Sequence, residues 1–359
     1  MFVLDQFLYS GAVIQESDTS WLVFWGDYSW EDKPDPNQPS LYAPDFFMKN
    51  QNQWLWFKNY KSFTSSELQQ SLEGRKEGEK ISLKQLQHQW EQMNSLTWNW
   101  KQPEKSDFAQ EFQEIQQLFD SQKLEKAVPI VFAKSPIIPE DFVLKNLIHK
   151  LLLTAPGQHA YGFWTQEEGM LGISPEVLFE KNKNNLKTLA LAGTAQDPQA
   201  LIKDQKQLKE HHLVIEGIKE SFNGHKLTTK ETEAWSVGDF WHLKTPIQIE
   251  LQTDLKFEQI VSKFHPTPAL GGYPKSHFWD WAIENSQGKE QRMRFGAPFG
   301  VHLSSSESKV LVAIRNVQWN ETEGLSVISG CGVVPESQLD SEWNELSLKR
   351  QAVFRMFGL

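Results

Sequence analysis

Apolar positions recur along this chain with two different spacings, and the shorter one comes first. Trp21-Leu22-Val23-Phe24-Trp25 is a compact apolar run within residues 1–60, a stretch rich in Trp, Phe, Asp and Pro that reads as short strands separated by turns. Residues 65–95 are rich in Gln, Lys and Glu and predict a surface helical region or a linker. From Ser106 to Leu124 the spacing changes: Phe108, Phe112, Ile115 and Phe119 recur at helical intervals, with Ser106 as the candidate N-cap. Ala127 to Ala133 is again a short apolar run, a strand in which Pro129 marks an edge or an irregularity. Further strand-like runs lie at 160–164, 177–180, 187–192, 248–252, 309–314 and 325–329, and helical patterns cover 200–222, 275–286 and 340–357. No repeat of fixed period interrupts this order. Many strands and long helices without strict alternation predict an α+β fold, not a doubly wound sheet.

Composition narrows the function classes. The 359 residues exceed an average domain but suit one large unit, so one domain over 1–359 is expected. Hydrophobic residues make up 39% and charged residues 23%, which leaves room for a sizeable core supplied largely by 15 Trp and 23 Phe. The net charge of −10, with no basic block, argues against a nucleic-acid partner. Cys331 stands alone, so neither a disulfide framework nor a Cys-rich zinc site is available; a reducing cytoplasm is the expected location. Met1 to Ile14 contains Asp5 and lacks a positive flank, a poor signal peptide, and no run of 18 apolar residues predicts a membrane span.

Several motifs could carry chemistry. In the C-terminal helical pattern, Glu342, Glu345 and Lys349 fall on one face, where two carboxylates and a cation suit a hard metal ion beside a substrate carboxylate. A solvated, salt-bridged face shows the same pattern. Glu210 in Lys209-Glu210-His211-His212 is a further candidate carboxylate, whereas the two adjacent histidines point to different faces and make no joint metal site. Gly172-Ile173-Ser174-Pro175-Glu176 places a Glu on a turn, as a general acid or merely as part of a Pro turn. Leu191 to Ala195 brings Gly193 and Thr194 to a strand end, where Gly permits close approach and Thr can hydrogen-bond a ligand. His265 to Lys275 is a Gly-containing loop leading into a helix, a weak anion-binding signal.

The order of these motifs is more specific than any one of them. Ser174-Pro175-Glu176, Leu191 to Thr194, Glu210-His211, His242 to Thr245, His265 to Pro274, Arg292 to Gly296, Ala313 to Arg315, Gly330 to Pro335 and Glu342 to Lys349 together resemble the chorismate-utilising enzymes. That family includes isochorismate synthase, salicylate synthase and the large components of anthranilate and aminodeoxychorismate synthases. The resemblance covers residues 106–359, the expected chorismate-binding core, and leaves 1–105 as a divergent N-terminal part contributing to the sheets. His265-Pro-Thr-Pro-Ala-Leu-Gly-Gly looks most like the isochorismate synthase branch, and Thr194-Ala195-Gln196 lacks the Arg-Pro continuation of the ammonia users.

The resemblance implies a β-sandwich core of two facing antiparallel sheets flanked by helices, and an isomerase that adds water at C2 of chorismate and expels the C4 hydroxyl. It implies magnesium held by Glu210 and Glu345 with Glu342 close by. Arg315, Lys349 and the backbone around Gly330 and Gly332 would hold substrate carboxylates, with Gly193, Thr194, His242, Ala269 and Leu270 also lining the substrate site. Glu176 would be the acid and Lys126 the base, aligned on the helix end Leu124-Glu125-Lys126. Aligned instead on Phe132-Ala133-Lys134, Pro129 takes that place and the base is lost; the chosen alignment turns the usual strand Arg into Val131. Lys126 as an ordinary cation near a helix end is the plain alternative. A salicylate synthase would use the same lysine and then eliminate pyruvate. An ammonia user would need a glutaminase partner, which is not expected, and a weakly catalytic chorismate-binding paralogue is the reading of a different class. Either menaquinone or siderophore synthesis could consume the product, and a monomer or weak homodimer is expected.

Overall fold

The structure, a computed structural model, describes residues 2–73, 98–238, 240–285 and 292–359. Among the described residues, sixteen strands form one antiparallel ladder. In spatial order it runs Lys226–Thr229, Phe240–Glu250, Asn185–Ala195, Val177–Asn182, Glu307–Val312, Pro298–Ser304, Ser40–Tyr42 and Trp54–Thr64. It continues through Ser20–Glu31, Gly11–Ser17, His159–Trp164, Glu168–Ser174, Asn316–Asn320, Gly324–Gly330 and Ile130–Ser135, with Glu233–Val237 also paired to Phe240–Glu250. A separate pair joins Gly272–Tyr273 to Lys126–Ala127.

The ladder folds over on itself. Strands Pro298–Ser304 and His159–Trp164 are five places apart in it, about 24 Å along a flat sheet at about 4.8 Å per strand. Yet the rings of Tyr161 and Phe299 lie 5.1 Å apart, and the Tyr161 hydroxyl donates to the Ile314 carbonyl at 2.9 Å. The expected facing sheets are thus two halves of one continuous ladder, and their inner faces meet over Leu22, Phe24, Leu55, Phe163 and Phe299. The N-terminal strands form the middle of the ladder and join the halves.

Strand alternation explains the apolar run at 21–25. Leu22 and Phe24 face the core between the halves, while Trp21, Val23 and Trp25 face a second core covered by helix Asp141–Leu151. On the other half, helices Gln205–Ser221 and Phe257–Phe264 bury Val214, Ile218, Ile260 and Phe264 against the sheet. Helices Lys105–Asp120, Lys275–Asn285 and Leu339–Phe357 share a fourth cluster through Phe108, Phe278 and Leu346.

Element boundaries differ from the sequence reading where local chemistry interrupts a pattern. The helix expected from Ser106 begins at Lys105, and its N-cap position is Glu104, with no side-chain cap bond. The expected strand 127–133 divides into Lys126–Ala127 and Ile130–Ser135, because Pro129 has no N–H for the ladder. The expected helix 200–222 divides into Pro198–Leu201 and Gln205–Ser221, because the Asp204 side chain accepts from the N–H groups of Lys206 and Gln207 and starts a new helix. Of the polar stretch 65–95, Ser65–Leu72 is helical, and residues 74–95 lie outside the described part.

Candidate active site

One pocket gathers residues from widely separated segments of the chain. Glu176 enters from the turn before strand Val177–Asn182, and Gly193 and Thr194 from the end of Asn185–Ala195. Glu210 projects from the first turns of its helix and His242 from the neighbouring strand. Ala269 and Leu270 line one wall from the loop after Phe264, Arg315 another, and Gly330, Gly332 and Lys349 close the far side. All nine residues expected at the substrate, with Glu176 and Glu210, therefore share one cavity.

Lys126 lies behind this wall. It is completely buried, and its ammonium donates to Glu210 Oε1 at 2.9 Å. Lys134, the lysine of the other alignment, pairs with Glu323 at a partly exposed position. The lysine of the helix-end alignment thus lies against Glu210, a residue of the pocket, and that of the other alignment does not line the pocket.

Two details of backbone geometry aim the polar groups. The ladder bulges between Ala192 and Thr194, with Gly193 at φ 74°, a conformation that Gly adopts at little cost. The bulge turns the Thr194 N–H to Gln207 Oε1 at 2.9 Å and the Gly193 carbonyl to His242 Nδ1 at 3.0 Å. Arg315 holds φ 52°, unusual for a side chain of its size, and its carbonyl accepts from the Ile173 N–H at 3.2 Å. The Arg315 guanidinium reaches His242 Nε2 at 3.1 Å. A guanidinium only donates, so Nε2 accepts and the ring proton sits on Nδ1, facing Gly193. Burial and the Arg315 charge push the His242 pKa down to about 3, and the ring is neutral at pH 7.

The carboxyl groups divide into two kinds. Burial pushes Glu176 up to about 8, although Lys126 pulls the other way; its nearest side-chain donor is the Thr267 hydroxyl at 3.5 Å. Burial acts likewise on Glu210, but Lys126 and Lys206 outweigh it and hold this carboxylate below its usual range. A carboxyl that keeps its proton near neutrality can give it away, whereas one held ionised can bind cations.

The carboxylates expected to hold a metal are not assembled around an open position. Glu342 and Glu345 border an adjoining cleft that shares Thr194 with the pocket, and among the described residues no three His, Cys, Asp or Glu side chains converge on an ion position. Glu342 pairs with Lys206 at 3.0 Å and Glu345 with Lys349 at 2.7 Å. Their donor chemistry nonetheless suits a hard divalent ion, and Glu342 Oε2 is buried with no hydrogen-bond partner. His211 is buried beside Glu210, with Nε2 2.7 Å from Thr245 Oγ1, and His212 is exposed, as their adjacency implied.

Sequence reading missed Lys206, Gln207 and Thr267. A signal existed for Lys206, which lies one turn before Glu210 and pairs with it at 3.6 Å. Thr267 sits in an irregular loop and carries no comparable mark.

Gly332 fits this site for lack of a side chain. A Cβ there would overlap the Glu210 carboxylate, 2.6 Å from its Cδ, and sit 3.1 Å from Lys126 Cε. Gly332→Ala is therefore expected to displace both groups and lower turnover by about 10²-fold, the cost typical of a misplacement near 1 Å, without a change in far-ultraviolet circular dichroism. Wild-type turnover by a folded Gly332→Ala protein would contradict this packing.

The fold and pocket define a class. The family described as chorismate binding enzyme matches residues 19–358, and this chain belongs to it. The match includes most of the N-terminal part that the motifs had left unplaced. Among the relatives, the salicylate biosynthesis isochorismate synthase of Pseudomonas aeruginosa is 32% identical over 196 residues, 51% of this chain and 40% of that protein. Isochorismate synthase MenF of Bacillus subtilis is 27% identical over 285 residues, 70% of this chain and 59% of that protein. The matched part thus spans about half the length of these relatives. The structure of MenF, the menaquinone-specific isochorismate synthase from Escherichia coli, superposes with a TM-score of 0.76 at 16% identity, covering 99% of this chain and 91% of that one. Among the described residues no helix is long and apolar enough to cross a membrane.

Proposed function

We propose that this protein is an isochorismate synthase, converting chorismate to isochorismate with magnesium. The observation that carries this reading is a buried Glu176 in the pocket wall that retains its proton near neutral pH, with Lys126 buried behind that wall against Glu210. The reaction needs a base on water and an acid on a departing hydroxyl. Acting as the neutral amine, Lys126 takes a proton from water as the oxygen bonds to C2, the ring double bond shifts, and the C4–O bond breaks. Glu176 protonates the leaving hydroxyl, which departs as water, so no atoms are gained or lost overall.

The other residues orient the substrate. The Arg315 fork and the Lys349 ammonium hold its carboxylates, assisted by backbone at Gly330 and Gly332. Neutral His242 fixes Arg315 from behind, and Ala269 and Leu270 give the ring an apolar wall. Glu210 and Glu345 would hold the magnesium ion, with Glu342 nearby. Bound there, the ion supplies positive charge toward the ring carboxylate.

Incubating the purified protein with chorismate and magnesium and separating the products tests the assignment. Isochorismate is expected. Pyruvate release would point to salicylate formation, ammonia-dependent product to an amination enzyme, and no turnover to a binding paralogue. Arg315→Ala is expected to raise KM by about 10- to 100-fold, the loss of one charged hydrogen bond of about 1.5–3 kcal/mol, with a smaller change in kcat. An unchanged KM would remove Arg315 from substrate binding.

A further inference from the structure

Lys206 stands between the pocket and the outer cleft, and the roles above do not use it. Its ammonium lies 3.0 Å from Glu342 Oε1 and 3.6 Å from Glu210 Oε2, and Glu345 also acts on it. One cation thus serves three carboxylates. Their other partners are Lys126 on Glu210 and Lys349 on Glu345, at 2.9 and 2.7 Å. Three carboxylates face three ammonium groups, so the cluster is already neutral. It is not fully satisfied, however, because Glu342 Oε2 is buried without a partner. An ammonium offers three donors in fixed directions, whereas a hard divalent ion takes oxygens from several sides and can use the one left over.

We infer that Lys206 is an internal counter-ion occupying the cation position of Glu210, Glu342 and Glu345, and that a divalent ion binds there by displacing its ammonium into the outer cleft. This inference rests on the magnesium reading above. Lys206 lies in the first turn of its helix, beside a cleft of about 400 Å3 that its own side chain lines. A long flexible side chain there has somewhere to go. The consequence is coupling between metal and substrate. The ion brings two positive charges as the displaced ammonium takes one away, so the cluster gains one, and a substrate with two carboxylates more than offsets it. Each therefore favours the other, and the ion alone binds weakly.

Mn2+ binding to the full chain without chorismate, read from the electron paramagnetic resonance signal of the free ion, tests this. Lys206→Met is expected to bind at least about tenfold more tightly than wild type, because the competing ammonium is gone. Lys209→Met, whose ammonium pairs at the surface with Glu336, should match wild type. Lys206→Met binding no more tightly than wild type overturns the inference. If that variant does not fold, the wild type still decides. Mass-spectrometric mapping of amine labelling should show Lys206 modified severalfold faster with saturating Mn2+, and an unchanged rate overturns the inference. Absence of Mn2+ binding by every form, even with chorismate present, would instead overturn the magnesium reading on which it rests.

Discussion

Replacing Lys126 by alanine is expected to lower kcat for isochorismate formation by about 10³-fold, in the middle of the range for a general base. The side chain is completely buried, and its ammonium is held against Glu210 from a strand 84 positions away in sequence. Nothing on the surface can substitute for it, and truncation leaves a small cavity behind the pocket wall. The substitution also removes one partner of a buried ion pair, a change that commonly costs about 3–5 kcal/mol. The loss here is expected at the lower end, because Glu210 keeps Lys206 at 3.6 Å. Thermal unfolding separates that effect from catalysis: a folded Lys126→Ala protein that still binds chorismate but does not turn it over is the expected result. Lys134→Ala serves as the control. Lys134 pairs with Glu323 in a partly exposed position, and its removal is expected to change kcat by less than about twofold. The two variants together decide the alignment around Pro129. Full activity in Lys126→Ala, or its loss in Lys134→Ala, would reverse it.

The pocket was legible because its residues come from short motifs in a fixed order, each at the end of an element. Glu176 follows a Pro turn, Gly193 and Thr194 end a strand, and Gly330 and Gly332 precede the last helix. Such residues are constrained by a ligand as well as by packing, so their pattern survives where the surrounding apolar residues are interchangeable. The N-terminal strands were less legible for the converse reason. Trp21 to Trp25 fill two cores and do not line the pocket, and any residues of suitable size and alternation would serve there. The continuity of the ladder was likewise hidden, since alternation says which face a residue takes and not which strand it pairs with. Lys206 was overlooked for a different reason. A lysine four residues before a glutamate on a helix is an everyday surface pair, and only the approach of Glu342, from a helix more than a hundred residues later, makes it part of a buried cluster.

Glu176→Gln is the second decisive substitution. It keeps the shape of the side chain and removes the proton that the departing hydroxyl needs, and kcat is expected to fall by about 10²- to 10⁴-fold. The pH dependence gives a sharper check than the loss itself. Burial lifts this carboxyl from its ordinary 4.5 to about 8. Below pH 8 it holds its proton and can act as an acid; above it, the fraction in the active form falls about tenfold per pH unit. Wild-type kcat/KM should therefore decline on an alkaline limb near pH 8, and the limb should vanish from the residual activity of Glu176→Gln. The same shift has a thermodynamic side. Between pH 4.5 and about 8 the folded protein holds a proton that the unfolded chain has released, so this group's contribution to stability falls as pH rises through that window. Glutamine does not titrate, so wild type should lose stability relative to Glu176→Gln from pH 5 to pH 8, and the two curves should run parallel above it. If the curves stayed parallel throughout, Glu176 would be ionised in the folded protein at neutral pH. It would then have no proton to give, and the role of acid would pass to another group around the pocket.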